Sequence, residues 1–183
     1  MNKSPDDILT ELLVINCQGG DTKALNLLAK KWHPKLLRQA YHLTRDKEAA
    51  LDVVQESWQG IIKGIKKLKD PAVFPAWAYR IVRYKSSDWI RKLQRNRKLN
   101  EVEKNEIKED EPESDDTEDK LNILGRALKK LPNEQRVILD LFYLEKQSVK
   151  AISVILGLPA GTVKSRLFYA REHLKKIFKQ IEK

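Results

Sequence analysis

The chain has a single cysteine, Cys17, among its 183 residues. One thiol excludes an intramolecular disulfide framework and a multi-cysteine zinc site. Cys17 sits in an apolar helical run, where a small packed side chain is the ordinary reading and a redox sensor the rarer one. The three histidines, His33, His42 and His173, show no ligand spacing with the cysteine or with one another. No glycine-rich phosphate loop, Gly-x-Ser-x-Gly elbow or HExxH string occurs. An enzyme would have to do without all of these signatures, so no cofactor, metal or catalysis is expected. Hydrophobic residues make up 41% of the chain. No run of them approaches the roughly 18 that a membrane-spanning helix needs, which predicts no membrane insertion. The start, MNKSPDDILTELL, has no basic region followed by an apolar core, so no signal peptide is expected. The expected location is cytoplasmic.

What the chain has in quantity is charge, unevenly spread. Its net charge is +10. Residues 1–99 carry 20 Lys/Arg against 10 Asp/Glu, residues 100–119 carry 2 against 11, and residues 120–183 carry 14 against 5. Basic blocks suit polyanions. The acidic segment between them, KLNEVEKNEIKEDEPESDDTED with its two leading basic-block residues, is poor in apolar side chains and reads as a disordered linker. The length suits one or two small domains. With the helical apolar spacing read below, the expected fold class is all-α. Two small helical domains, residues 1–98 and 120–183, are joined by a flexible acidic linker over 99–119.

Apolar spacing supplies the helices. Ile8, Leu9, Leu12, Leu13 and Ile15 predict a short helix over 6–18 with these residues inward, ended by Gly19-Gly20. Asp21 is placed to cap the next helix. From Thr22 to Leu43 the apolar positions keep a helical period, and Pro34 predicts a kink or break near Trp32-His33. A third helix, about 46–68, puts Ala50, Val54, Trp58, Ile61 and Ile65 on one face and Asp52, Gln55, Glu56 and Gln59 on the other. As a charge cluster alone, that second face is equally the wet side of a plain amphipathic helix. A fourth helix, about 73–97, turns Phe74, Trp77, Ala78, Ile81, Val82 and Trp89 inward. Arg80, Arg83, Tyr84, Ser87, Arg91 and Arg95 share another sector. Arginines interleaved with an aromatic can hold phosphates and stack a base, although a basic surface helix that only aids solubility has the same pattern.

The second block ends in two helices with a break. Val149, Ile152, Ile155 and Leu156 share one face. Gly157-Leu158-Pro159-Ala160-Gly161 interrupts the helix, and Thr162 is placed to cap the next. There Val163, Leu167, Ala170 and Leu174 form the packed face, Lys164, Arg166 and Arg171 flank it, and Ser165, Phe168 and Tyr169 point away. Leu121, Leu124, Ala127, Leu128 and Leu131, then Arg136, Val137, Leu139, Leu141 and Phe142, give two supporting helices. The domain thus has four helices and contains a helix-turn-helix.

The strings themselves say more than their periods. Leu131-Pro132 … Arg136 … Gly161-Thr162-Val163-Lys164-Ser165-Arg166-Leu167 … Ala170-Arg171 … Leu174 resembles the C-terminal promoter-binding domain of bacterial RNA polymerase sigma factors. The resemblance is greatest to the small extracytoplasmic-function (ECF) class. Asp46-Lys47-Glu48-Ala49-Ala50-Leu51-Asp52-Val53-Val54-Gln55-Glu56-Ser57-Trp58 is similar to the sigma segment that binds the clamp helices of the polymerase. Phe74-x-x-Trp77-x-x-x-Ile81-x-Arg83 … Asp88-x-x-Arg91 … Arg95-x-Arg97 is similar to the segment that recognises and melts the minus-10 element.

This resemblance implies a function in promoter-specific transcription initiation, with core RNA polymerase, promoter DNA and an anti-sigma factor as partners. It implies core contacts from Asp52, Gln55 and Glu56. It implies minus-10 contacts from Arg80, Arg83, Tyr84, Ser87, Arg91 and Arg95. It implies minus-35 contacts from Thr162, Lys164, Ser165, Arg166, Phe168, Tyr169 and Arg171. In the family the linker threads polymerase channels; a plain spacer stays open beside that role. The sequence departs from the family at Tyr84, where many members have asparagine, and at Tyr169, often arginine. Ala151-Ile152-Ser153 stands where Glu-Ile-Ala is usual. A DNA-binding regulator that works without polymerase would account for residues 121–183 but not for the Asp52-Gln55-Glu56 face. A helical adaptor whose basic faces meet an acidic protein is a further alternative.

Overall fold

The computed structural model describes residues 4–99 and 120–181, and every regular element among them is helical. In chain order these are α1 (Pro5–Gln18), α2 (Thr22–Thr44), α3 (Lys47–Gly64), α4 (Phe74–Leu99), α5 (Lys120–Lys130), α6 (Asn133–Leu139), α7 (Val149–Leu156) and α8 (Ala160–Ile181). Short 3-10 turns at Ile65–Lys67 and Pro71–Val73 link α3 to α4, and a π turn, Asp140–Leu144, follows α6. The chain divides into two compact units, Met1–Gln94 with Val154–Gly157 and Arg95–Ser153 with Leu158–Lys183. From residue 100 on, the acidic segment lies outside the described residues.

In the first unit side chains fix the helix starts. Ser4 and Asp7 form a capping box on α1. The Asp21 carboxylate accepts from the amides of Lys23 and Ala24, and that of Asp46 from Ala49. Each cap satisfies amides that have no partner within the helix. Leu28, Trp32 and Leu36 of α2, Val54 and Ile61 of α3, and Phe74, Tyr79 and Val82 of α4 are buried. The Trp32 indole meets Phe74 and Tyr79 edge-on, with ring centroids 5.5 and 5.7 Å away.

Three expectations need correction here. First, α2 continues through Pro34 as one helix, without a break. Trp32 and Leu36, buried on either side of it, hold the helix in place, while Pro34 itself is exposed. The hydrogen bond it forfeits therefore falls on a side open to water, where the loss is smallest. Second, α1 is rotated from the predicted setting. Thr10, Leu13, Val14 and Cys17 face the core, and Ile8, Leu9, Leu12 and Ile15 face out. The Gln18 amide donates to the carbonyls of Ile65 and Leu68 at 3.0 and 2.7 Å, which pins the end of α1 to the turn after α3. Thr10 is buried without penalty because its hydroxyl donates to the Asp6 carbonyl at 2.9 Å. Third, Trp58 is only half-buried, and Ser57 takes the buried position, its hydroxyl donating to the Val53 carbonyl at 2.6 Å.

Close packing of α3 on α4 rests on a pair of glycines one turn apart. A β-carbon on Gly60 would meet Ile81 Cγ2 at 3.6 Å, and one on Gly64 would meet Trp77 Cζ2 at 2.8 Å. Residues i and i+4 on α3 thus receive residues i+4 and i on α4, ridge into groove.

In the second unit Ile123 and Ala127 of α5, Leu131 just after it, Val137 to Leu139 of α6 and Val163, Leu167 and Ala170 of α8 are buried. Ile123, rather than Leu124, leads the inner face of α5, and Leu124 and Leu128 lie at its margin. The buried Arg136 guanidinium donates to the Lys129 carbonyl at 3.2 Å, at the end of α5. Ser148 starts α7, its hydroxyl accepting from the Ala151 amide at 3.1 Å.

Candidate nucleic-acid interface

The helix-turn-helix forms as its glycines and proline predict. The Gly157 backbone is left-handed, with φ +64°, and stops α7. The chain then turns through 101° into α8, within the range of about 90–120° found in such motifs. One detail differs. Helix α8 begins at Ala160, so Thr162 lies inside its first turn and is not the cap. The reason is Pro159. Its fixed φ suits the residue before a helix, and its carbonyl already accepts from the Val163 amide at 3.0 Å.

Helix α8 then sorts its side chains. Val163, Leu167 and Ala170 are buried, and Lys164, Ser165, Arg166, Phe168, Tyr169 and Arg171 are exposed. Thr162 is half-buried. Phe168 and Tyr169 are 54% and 65% exposed, with their rings 5.5 Å apart and edge-on. Two large aromatics left in water on a basic helix form a rigid, amphipathic contact surface. Ser165 Oγ is turned inward along the helix, donating to the Gly161 carbonyl at 3.1 Å. Arg171 Nε donates to the Leu167 carbonyl at 3.2 Å, which orients its guanidinium along the helix flank. Arg166 reaches back to α6, with its Nη1 3.0 Å from the Glu134 carboxylate. Sequence reasoning missed Glu134. Its only signal was its place between Leu131-Pro132 and Arg136 in the promoter-domain string.

In the first unit, α4 brings its polar sector together over several turns. Arg80 and Tyr84 form a unit one turn apart. The Arg80 guanidinium donates to the Tyr84 hydroxyl at 3.3 Å and lies 5.5 Å from the ring centroid. That hydrogen bond, then the positive charge of Arg80, holds the Tyr84 phenol below its ordinary pKa. Arg91 pairs with Asp88 one turn away at 3.2 Å. Arg83 and Ser87 are half-buried, and Arg95 is exposed farther along. The sector thus offers several cations and one half-exposed aromatic ring, a combination suited to phosphates and an unstacked base.

On α3, Asp52, Gln55 and Glu56 are all exposed, as is Gln59. Glu56 does not stand alone. Its carboxylate is 3.0 Å from Lys85 Nζ of α4. Lys85 is the second residue that sequence reasoning missed, hidden among the other cations of α4. The pair ties the acidic face of α3 to the flank of α4 beside its arginine sector. Both partners are substantially exposed, so the tie is worth no more than about 1 kcal/mol.

Among the described residues no single helix is long and apolar enough to cross a membrane.

Comparisons with known proteins place these elements. The sigma-70 region 2 family matches residues 28–96, from α2 through most of α4. The sigma-70 region 4 family matches residues 121–174, from α5 into α8. The ECF RNA polymerase sigma-E factor of Haemophilus influenzae is 30% identical over 184 residues, covering 93% of this chain and 95% of that protein. The ECF RNA polymerase sigma-E factor of Salmonella typhimurium is 28% identical over 178 residues, covering 91% and 93%. In fold, the chain is similar to the sigma factor RpoE solved in complex with the anti-sigma factor NepR from Bartonella quintana. The TM-score is 0.68 at 24% identity, over 86% of this chain and 98% of that one. It is also similar to CnrH solved in complex with the cytosolic domain of CnrY, with a TM-score of 0.65 at 21% identity, over 94% and 98%. The chain belongs to the sigma-70 family and, within it, to the extracytoplasmic-function class of RNA polymerase sigma factors, the subunits that bind core polymerase and direct promoter-specific initiation.

Proposed function

We propose that the exposed faces of α3, α4 and α8 divide the work of initiation. Residues 1–98 bind core polymerase through Asp52, Gln55 and Glu56, and recognise and melt the minus-10 element through Arg80, Arg83, Tyr84, Ser87, Arg91 and Arg95. Residues 120–183 read the minus-35 element with α8. There Lys164, Phe168 and Tyr169 approach base edges, and Arg166 and Arg171 hold phosphates. Thr162 and Ser165 lie at the start of the same groove-facing stretch. Residues 99–119 join the two domains. The polymerase performs the chemistry, and this chain adds no catalytic group, metal or cofactor. The relatives solved with anti-sigma proteins make an anti-sigma protein a fitting partner here too, in the cytoplasm.

The observation that carries this reading is a juxtaposition within the first unit. An exposed carboxylate and amide face stands on α3 and an arginine and tyrosine sector on α4, and the Glu56–Lys85 pair links the two helices. A DNA-binding repressor has use for the second face only. On polymerase, basic groups of the partner can take the place of Lys85 at Glu56, since a surface ion pair costs little to exchange.

Charge reversal at Asp52 and Glu56 together tests the assignment. Truncating or reversing an interfacial charge pair costs roughly 2–5 kcal/mol. The double variant should lose co-purification with core polymerase and run-off transcription from a specific start site, with its helix content unchanged by circular dichroism. Wild-type co-purification of the double variant would sink the α3 assignment.

A further inference from the structure

The outer face of α1 has no role in the scheme above, and it is the wrong kind of surface to leave in water. Ile8, Leu9, Leu12 and Ile15 are 47%, 49%, 53% and 50% exposed. Their spacing puts them on one stripe along the helix. The opposite side of α1 buries Leu13, Val14 and Cys17. A helix that is apolar on both sides normally has neighbours on both, and among the described residues α1 has them on one. Contiguous apolar patches of this kind mark interaction sites.

Charge narrows what can cover the stripe. The charged residues of α1 are Asp6, Asp7 and Glu11, all acidic, in a chain of net charge +10. Asp6 turns to α2, where it pairs with Lys31 and, at 3.7 Å, with Lys35. The hydrogen bond from Lys31 holds its carboxyl below the ordinary range. Asp7 and Glu11 stay on the flank of the apolar stripe. They line a shallow groove of about 160 Å³ with Thr10, Pro71, Ala72 and Pro75. Asp7 accepts from the Ser4 amide and hydroxyl at 3.1 and 2.7 Å, which fixes the orientation of its carboxylate. The rim of the stripe is thus negative and in part preorganised.

We propose that the outer face of α1 docks an amphipathic helix of a partner protein. The apolar side of that helix seats on Ile8, Leu9, Leu12 and Ile15, and a lysine or arginine beside it enters the groove at Asp7 and Glu11. Other occupants fit poorly. A nucleic acid or an anionic lipid surface meets carboxylates of its own sign. A second copy of this chain brings Asp7 and Glu11 against the same acids. The chain's own segment 100–119, with 11 acidic residues against 2 basic ones, is likewise repelled. These residues are distinct from those assigned above on α3, α4 and α8.

The test uses the full-length protein and two labelled helical peptides that share a leucine stripe, one flanked by lysines and one by glutamates. Fluorescence anisotropy should show the lysine peptide binding about tenfold tighter than the glutamate peptide, with the difference shrinking as salt is raised. Leu12→Glu should weaken lysine-peptide binding about tenfold or more. So should the pair Leu9→Ser and Ile15→Ser, which guards against one variant failing to fold. Glu11→Lys should remove much of the preference between the peptides. The Asp52 and Glu56 charge reversal should bind the lysine peptide as wild type does, which separates this surface from the α3 face. Equal binding by wild type and Leu12→Glu overturns the proposal, as does no preference between the peptides. A concentration-dependent dimer in sedimentation equilibrium that Leu12→Glu abolishes overturns it in favour of self-association. Binding to phosphatidylglycerol vesicles that Leu12→Glu abolishes overturns it in favour of a lipid surface.

Discussion

The two glycines of α3 that face α4 should respond to alanine with opposite signs. Glycine inside a helix is about 1 kcal/mol less favourable than alanine, so each substitution starts with a gain from the backbone. At Gly60 nothing opposes it. The new methyl group lies 3.6 Å from Ile81 Cγ2, an ordinary van der Waals contact. Gly60→Ala should stabilise the first unit by roughly 0.5–1 kcal/mol. At Gly64 the methyl group would lie 2.8 Å from Trp77 Cζ2 and 3.2 Å from Cη2. At that distance the indole must shift, and on one side it rests against the fully buried Phe74, ring centroids 6.1 Å apart. Gly64 is also the last residue of α3, where the backbone gain is smaller than in the middle. Overpacking costs typically 1–3 kcal/mol. The net effect of Gly64→Ala should be a loss of about 1–2 kcal/mol. Each kcal/mol moves Tm by about 4–8 °C for a unit of this size. Thermal and urea unfolding followed by tryptophan fluorescence reads both variants. Equal or greater stabilisation by Gly64→Ala than by Gly60→Ala would refute the packing argument.

Two further outcomes are expected on α8 and α4, the helices proposed to face DNA. Tyr169→Arg should shift the motif recovered in binding-site selection, because arginine pairs with guanine through two parallel bonds worth roughly 1–3 kcal/mol of discrimination. Arg171→Ala should instead weaken all sequences alike and lower the salt slope by about one; a changed motif with Arg171→Ala and an unchanged one with Tyr169→Arg would reverse the two faces. On α4, the Tyr84 phenol titrates below its ordinary value because the Arg80 hydrogen bond and charge favour the phenolate. Arg80→Ala removes both, so the Tyr84 midpoint should move up in a carbon-13 NMR titration of labelled tyrosine, and an unmoved midpoint would show that the pair does not form in solution.

The apolar periods alone determined that this chain is helical, where most helices lie and which side of α8 is buried. Val163, Leu167 and Ala170 recur at helical spacing and are inside, because a helix with one apolar stripe has only one good way to lie. The cap at Asp21 was legible for a similarly local reason, and Asp46 caps α3 in the same way. A short side chain answers amides two or three residues away. Where a helix has two apolar sides, the sequence offers no preference, and the tertiary structure decides. Helix α1 was such a case. Its rotation is set by Gln18 bonding to Ile65 and Leu68, some 47 and 50 residues away. Pro34 was a second case. Its local penalty is overridden by burial of Trp32 and Leu36 on either side. The charged sites divide likewise. That Asp52, Gln55 and Glu56 share a face follows from their spacing. That Glu56 meets Lys85, and Arg166 meets Glu134, depends on which helices pack together. Ion pairs between helices have no signature in either helix. Only packing, which ranks thousands of weak contacts against one another, brings their partners within reach.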